Sequence, residues 1–177
     1  MIRDLVAIFG VIAGFSYYVL TVRNSQRTQR QQLETRQAQL FMQLYQDLLS
    51  ENNMRSLLDL LNMEWEDYDD FETKLGSDNN PDSFVKRTSI WFRMNGIGHL
   101  LRDGMIDSEK VFDLLGTWID WLWMKWESII KELRVRYHQP ELYTEFEYLA
   151  VEMRRVRLGR GITDKLPDTY TRYIPET

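Results

Sequence analysis

The side chains best suited to chemistry lie between Glu64 and Glu72, in the sequence EWEDYDDFE. Six of these nine residues are carboxylates, and clustered carboxylate oxygens suit Mg²⁺ or Ca²⁺. The candidate ligands are Glu64, Glu66, Asp67, Asp69 and Asp70. The spaced Asp and Asn, central Gly and closing Glu of an EF-hand are absent, however. A solvated acidic surface is therefore the favoured interpretation, with a basic partner or a metal ion as the alternatives.

The other patterns predict no catalytic residue and no cofactor. Two carboxylates of this segment would serve a hydrolase only in a cleft that raises the pKa of one of them, and the sequence indicates neither condition. The histidines, His99 and His138, do not have the metal-ligand spacing of a single helix. Gly96-Ile97-Gly98 lacks the preceding strand of a dinucleotide-binding loop, so close helix packing explains it better.

The overall composition limits the classes of partner. The formal charge of −5 argues against nucleic acid, because phosphate binding needs a basic surface. The chain has no cysteine, so it has no disulfide framework and no thiolate chemistry. Apolar residues make up 44% of the chain and aromatic residues 13%, which is enough for a packed core.

An uncharged apolar segment extends from Leu5 to Val22. Its 18 residues form a helix of about 27 Å, close to the roughly 30 Å hydrocarbon core of a bilayer. We therefore predict a transmembrane anchor over residues 1–24 that contacts lipid through residues 5–22, with a cleaved signal peptide as the rival interpretation. Arginine is more frequent after the segment than before it. The positive-inside rule then predicts a single-pass cell-membrane protein with its N-terminus outside and its C-terminal domain in the cytoplasm.

A glycine pair lies on one face of this predicted span. Gly10 and Gly14 have the G-x-x-x-G spacing that lets two membrane helices approach closely. The pair therefore predicts a homodimer contact, although glycine is also common in membrane helices for other reasons.

The rest of the chain has helical patterning, so the fold class that we predict is all-α. Residues 25–32 (SQRTQRQQ) have no apolar side chain, and an apolar stripe begins at Leu33, which predicts a stalk and a first amphipathic helix over residues 25–49. Residues 50–157 predict a soluble bundle of about five helices. Residues 158–177 contain two glycines and two prolines and predict a flexible tail.

Caps and apolar spacing predict the helices of this bundle. One begins after Ser50, and its apolar stripe reaches Tyr68. A short further turn is predicted at residues 67–75, and the other helices are predicted at about 82–101, 108–115, 117–137 and 141–157.

Two features of the last helices predict contacts beyond the core. Trp121 and Met124 fall outside the apolar stripe of the helix at residues 117–137, which indicates a second contact surface for a protein partner. A basic run ends the final helix and consists of Arg154, Arg155, Arg157 and Arg160. These cations suit a helix C-terminus, and contact with an anionic membrane leaflet is the alternative.

Several stretches carry a resemblance to a known family. They are Leu33 to Tyr45 (LETRQAQLFMQLY), Met63 to Phe71 (MEWEDYDDF), Gly96-Ile97-Gly98 with Ile106-Asp107, and Glu141 to Leu149 (ELYTEFEYL). With them the chain resembles, over roughly residues 1–157, a family of uncharacterised prokaryotic membrane-anchored helical proteins classed as a domain of unknown function. The resemblance implies one N-terminal span followed by helices. It implies no activity and no site residues.

These observations favour a membrane-tethered protein-interaction or regulatory module over an enzyme. The alternatives are a divalent-metal-dependent enzyme that uses residues 64–72 and an accessory subunit of a membrane complex.

Overall fold

The computed structural model describes the backbone of residues 2–162 and the side chains of residues 13–162. Within that range the chain forms six α-helices and no strands, so the predicted all-α class is confirmed. The helices are α1 (Ile2–Leu48), α2 (Glu51–Asn62), α3 (Tyr68–Leu75), α4 (Pro81–Arg102), α5 (Ser108–Arg136) and α6 (Thr144–Gly159). Helices α2 to α6 match the predicted number of helices in the bundle. Residues 163–177, most of the predicted flexible tail, lie outside the described residues.

The chain divides into two compact units, residues 1–43 and 44–177. The first unit belongs to α1, which is helical through the predicted stalk at residues 25–32. Leu33 and Leu40, at the start of the predicted apolar stripe, are exposed. No helix in the part that the structure describes contains a window apolar enough to cross a membrane. Residues 5–12 of the predicted span lie outside the residues whose side chains are described.

Helices α4, α5 and α6 form the centre of the second unit. Helix α4 buries Ile90, Met94, Ile97 and Leu101, whose spacing of three or four residues places them on one helix face. Two tryptophans meet in the core, with 5.2 Å between the ring centroids of Trp91 and Trp126 in an edge-to-face arrangement.

Helix α4 also defines where α6 begins. A Cβ added at Gly98 would lie 2.0 Å from the carbonyl oxygen of Glu145, so only glycine permits this approach. The first residue outside α6, Tyr143, provides no side-chain cap. Instead, the backbone N–H groups of Glu145 and Phe146 both donate to Oδ1 of Asn95 at 3.1 Å. This carbonyl oxygen satisfies two of the N–H groups that every helix start leaves without an intrahelical partner.

Three helices differ from the prediction by more than one residue. Helix α2 ends at Asn62 because the following link carries Trp65 onto Trp126, with 4.6 Å between ring centroids. The helices predicted at residues 108–115 and 117–137 are one continuous helix, since Gly116 is buried within α5. Burial of the residues around Gly116 outweighs its cost of about 1 kcal/mol in a helix. Helix α6 starts at Thr144 rather than residue 141 and ends at Gly159, two residues beyond the prediction.

Candidate functional site

Met124 lies on an open groove between α5 and α6. The groove encloses about 390 Å³, and Met124 is 37% exposed on its α5 side. On the α6 side, Val151 is 57% exposed. The lining residues are Asp120, Trp123, Met124, Glu127, Glu147, Ala150, Val151, Arg154 and Arg157. The apolar residues of the groove are Trp123, Met124, Ala150 and Val151, which we call the apolar floor, and the other five lining residues are charged.

Trp121, which we predicted to share a contact surface with Met124, does not line this groove. It is half-buried and packs edge-to-face against Trp118 of the same helix, with 5.4 Å between ring centroids. Trp121 and Met124 therefore lie in different surroundings, and only Met124 lines the groove.

The carboxylates that line the groove are held by nearby cations. Asp120 accepts from the Arg157 guanidinium, and both side chains are largely buried. Glu127 pairs with Lys131 one turn along α5. Glu147 pairs with Arg134, which joins α6 to α5. Because these charges are already compensated, the groove suits an apolar surface better than a free ion.

The acidic segment at residues 64–72 is used largely in local structure. Asp67 caps α3, where its Oδ1 accepts from the backbone N–H of Asp70 at 2.8 Å. Asp70 accepts in turn from the backbone N–H of Glu66 at 2.9 Å, in an arrangement close to a capping box. The hydrogen bond from Lys74, followed by the one from Glu66, lowers the pKa of the Asp70 carboxyl.

The remaining candidate ligands do not converge. Asp69 pairs with Arg136 of α5 at 2.9 Å, and Glu64 is exposed in the link before α3. Across the residues with described side chains, no group of three or more His, Cys, Asp and Glu residues is arranged to hold a metal ion.

The predicted dimerisation pair is described only in part. Gly10 lies among the residues whose side-chain surroundings are not described. Gly14 has no heavy atom within 4 Å of the position that a Cβ would take, so that face of the helix is open in this chain. Dimerisation through the pair stays a prediction.

The basic run at the end of α6 is engaged in ion pairs. Arg157 binds Asp120, and Arg155 binds Glu152. Arg160 binds both Glu109 and Asp113 of α5. The contacts of Arg157 and Arg160 connect the end of α6 to α5, and all of these ion pairs leave less of the cationic charge for a lipid headgroup.

Sequence reasoning missed the α6 side of the groove. A usable signal was present, because Val151 falls outside the apolar stripe of α6 just as Met124 falls outside that of α5. The two exposed residues face the same groove only because α5 and α6 pack side by side, and one helix pattern does not contain that information.

Comparison with protein-family models, curated proteins and solved structures gives no match to this chain. The resemblance to a family of membrane-anchored proteins therefore stays a prediction. Any argument about function rests on the residues themselves.

Proposed function

We propose that this protein is a membrane-tethered protein-interaction or regulatory module. In this proposal the N-terminal segment anchors the chain in the cell membrane, and the groove between α5 and α6 binds a partner protein in the cytoplasm. The observation that carries the proposal is the exposed apolar floor at Met124 and Val151, bordered by carboxylates that are already paired.

The anchor rests on the uncharged run of 18 residues from Leu5 to Val22. Such a run has the length of a membrane span, and it belongs to the single helix that continues to Leu48. The excess of arginine after the run favours an external N-terminus. Gly10 and Gly14 would allow two anchors to associate in the bilayer.

Part of the groove lining matches the composition of a protein-binding surface. Methionine, tryptophan and arginine are enriched where proteins meet, and free charges are depleted at the centre of such surfaces. Met124 and Val151 supply exposed apolar contact, whereas Arg157 is fixed by Asp120. A partner that presents an apolar side chain would displace water from the floor without separating an ion pair.

The test is co-purification of partners with full-length protein from native membranes in mild detergent. We expect Met124→Glu to reduce recovery of a bound partner at least tenfold, because a carboxylate would be buried on an apolar floor. The matched control is Val135→Glu, which places the same charge at a residue of α5 that is 68% exposed and does not line the groove.

Each result has a distinct meaning. A stoichiometric partner that survives purification and is lost only in Met124→Glu would indicate an accessory subunit of a stable complex. A substoichiometric partner with the same sensitivity would indicate a transient regulatory module. Unchanged recovery in Met124→Glu would overturn the assignment of the groove as the contact surface.

A further inference from the structure

A buried cation lies away from the groove, in α4. Arg87 is 4% exposed, and its Nη1 donates to the backbone carbonyl oxygen of Leu75. Its guanidinium carbon lies 5.0 Å from the ring centroid of Phe71 and 4.9 Å from that of Phe84. Arg87 forms no ion pair with any residue that the structure describes. Within the described part of the chain, the guanidinium thus lies near two rings and donates to a single backbone acceptor.

An unpaired buried charge is costly unless something compensates it. Burial lowers the pKa of Arg87, and the negative charge of Glu72 opposes this effect without cancelling it. An arginine side chain nevertheless stays protonated in proteins. The folded chain therefore keeps a positive charge that its own contacts neutralise incompletely.

Arg87 lines a cavity of about 210 Å³. Most of its walls are aromatic or aliphatic, and they include Trp91, Leu133 and Tyr143. Glu72 contributes a carboxylate to the same walls. This cavity is smaller than the roughly 300–1,000 Å³ of drug-sized sites, so it suits a small molecule. Its two opposite charges lie among mainly aromatic and aliphatic residues, and the other polar lining side chains are Ser77, Thr88, Tyr137 and Gln139.

The wall at Tyr143 has an unusual backbone conformation. Its φ of 56° is left-handed, which is uncommon for a residue other than glycine. The ring is buried and packs edge-to-face on Trp91 and Phe92, with centroid distances of 5.3 Å in each case. Strained residues held by their surroundings in this way concentrate at ligand sites.

We propose that this cavity binds a free α-amino acid with an apolar side chain. Arg87 holds the carboxylate, Glu72 holds the ammonium group, and the aromatic walls contact the side chain. A guanidinium presents several donors in a fixed plane that matches a carboxylate. A zwitterion supplies one partner each for Arg87 and Glu72 and adds no net charge to the cavity.

Calorimetry on the full-length protein in detergent tests this proposal with matched probes. The probes are L-phenylalanine, L-leucine, 3-phenylpropionate (which lacks the ammonium) and phenethylamine (which lacks the carboxylate). We expect saturable binding of at least one amino acid. We also expect the two phenyl compounds that lack one charge to bind at least tenfold more weakly than phenylalanine if phenylalanine is bound. No saturable binding of either amino acid up to roughly 10 mM, beyond the millimolar range of weak ligands, would overturn the proposal.

Substitutions test which group of the amino acid each of the two charged residues binds. Arg87→Lys keeps the charge but loses the planar fork, and we expect it to weaken amino acid binding at least tenfold. Glu72→Gln should weaken binding of the amino acid but leave binding of 3-phenylpropionate unchanged or stronger. The control is Arg55→Lys, at an exposed arginine of α2 that pairs with Glu51. This variant should change neither the affinity for the amino acid nor the affinity for 3-phenylpropionate.

The Glu72→Gln variant keeps the proposal falsifiable if Arg87→Lys does not fold. Equal affinity of wild type and Glu72→Gln for the amino acid would show that the ammonium assignment is wrong. Equal affinity for phenylalanine and 3-phenylpropionate in the wild type would overturn the amino acid as the ligand class.

Discussion

A second buried cation, Lys125, illustrates how single residues limit the stability of the bundle. It is 4% exposed on α5, and its Nζ lies 4.5 Å from the ring centroid of Trp65. The aromatic face offers partial compensation for the charge. Burial nevertheless lowers the pKa of Lys125, and the charge of Glu64 opposes this only in part.

This lowered pKa predicts a pH dependence of stability. Between the folded-state pKa of Lys125 and its usual value near 10.5, the unfolded chain binds more protons, so the free energy of unfolding rises with pH in that window. We expect Lys125→Met to remove this rise and to increase the free energy of unfolding at pH 7 by about 1 kcal/mol, since an apolar residue suits a buried position better than a charge. Urea unfolding measured across the pH range checks this.

The matched control for that prediction is Lys131→Met. Lys131 lies on the same helix, is exposed, and pairs with Glu127, so its replacement should change stability by less than about 0.5 kcal/mol and keep the pH-dependent rise. If Lys125→Met kept the rise in full, the rise would not come from Lys125.

At the residue scale, the sequence indicated that Met124 lies outside the apolar stripe of its helix, but it did not indicate that Arg87 is buried. An apolar residue outside a helix stripe is visible in one helix pattern, whereas Arg87 looks like any polar residue of a helix. Its burial depends on Phe71 and Leu75 of α3 and Phe84 of α4. Those contacts arise from tertiary packing, which periodicity does not encode.

At the scale of the helices, the two glycines of Gly96-Ile97-Gly98 differ in their surroundings. Gly98 lies against the backbone of Glu145, whereas a Cβ at Gly96 would meet no heavy atom within 4 Å. Close helix packing, which we predicted for this segment, therefore applies to Gly98 and not to Gly96.

The two glycines provide a paired substitution test. We expect Gly98→Ala to lower the free energy of unfolding by about 2–3 kcal/mol, because α4 and α6 must separate to admit the methyl group. Gly96→Ala should raise it by about 0.5–1 kcal/mol, since alanine favours the helix and meets no obstacle. Thermal and urea unfolding measure the free energy of unfolding of both variants. A similar loss in the two variants would contradict the close approach at Gly98.

Helix existence was easier to predict than helix ends. Asp67, Asn80 and Asp107 each accept a backbone N–H at a helix start, and such caps are readable in sequence. The start of α6 was not readable, since its cap comes from Asn95 of α4. The break that we predicted around Gly116 was wrong because burial within α5 outweighs the helix propensity of one glycine.

At the scale of the whole molecule, the proposed anchor predicts how the chain fractionates. We expect the full-length protein to stay with membranes after an alkaline carbonate wash, because a spanning helix is removed only by dissolving the bilayer. A variant lacking residues 2–22 should move to the supernatant, and a variant lacking residues 163–177 is the matched control that should not. Release of the full-length chain by carbonate would overturn the anchor.

Protease protection in intact cells tests the proposed orientation. Protease added to intact cells should leave residues 44–162 uncut if the domain is cytoplasmic, and should cut them after the cells are permeabilised.

The sequence predicted the all-α class at this scale because periodicity and cap signals recur along the chain. It did not identify a partner, since recognition depends on surfaces assembled from separate helices.

The cap that Asn95 gives to α6 has a consequence for the order of folding. The two backbone hydrogen bonds that begin α6 join residues 50 and 51 positions apart, so they form only after a long loop has closed. Helix α6 is therefore not a local folding unit, and its first turn is completed only once α4 is in place. A chain emerging from the ribosome exposes the part of α4 that α6 covers until residues 144–159 have been made. Synthesis itself thus creates an interval in which the half-made protein needs protection from aggregation.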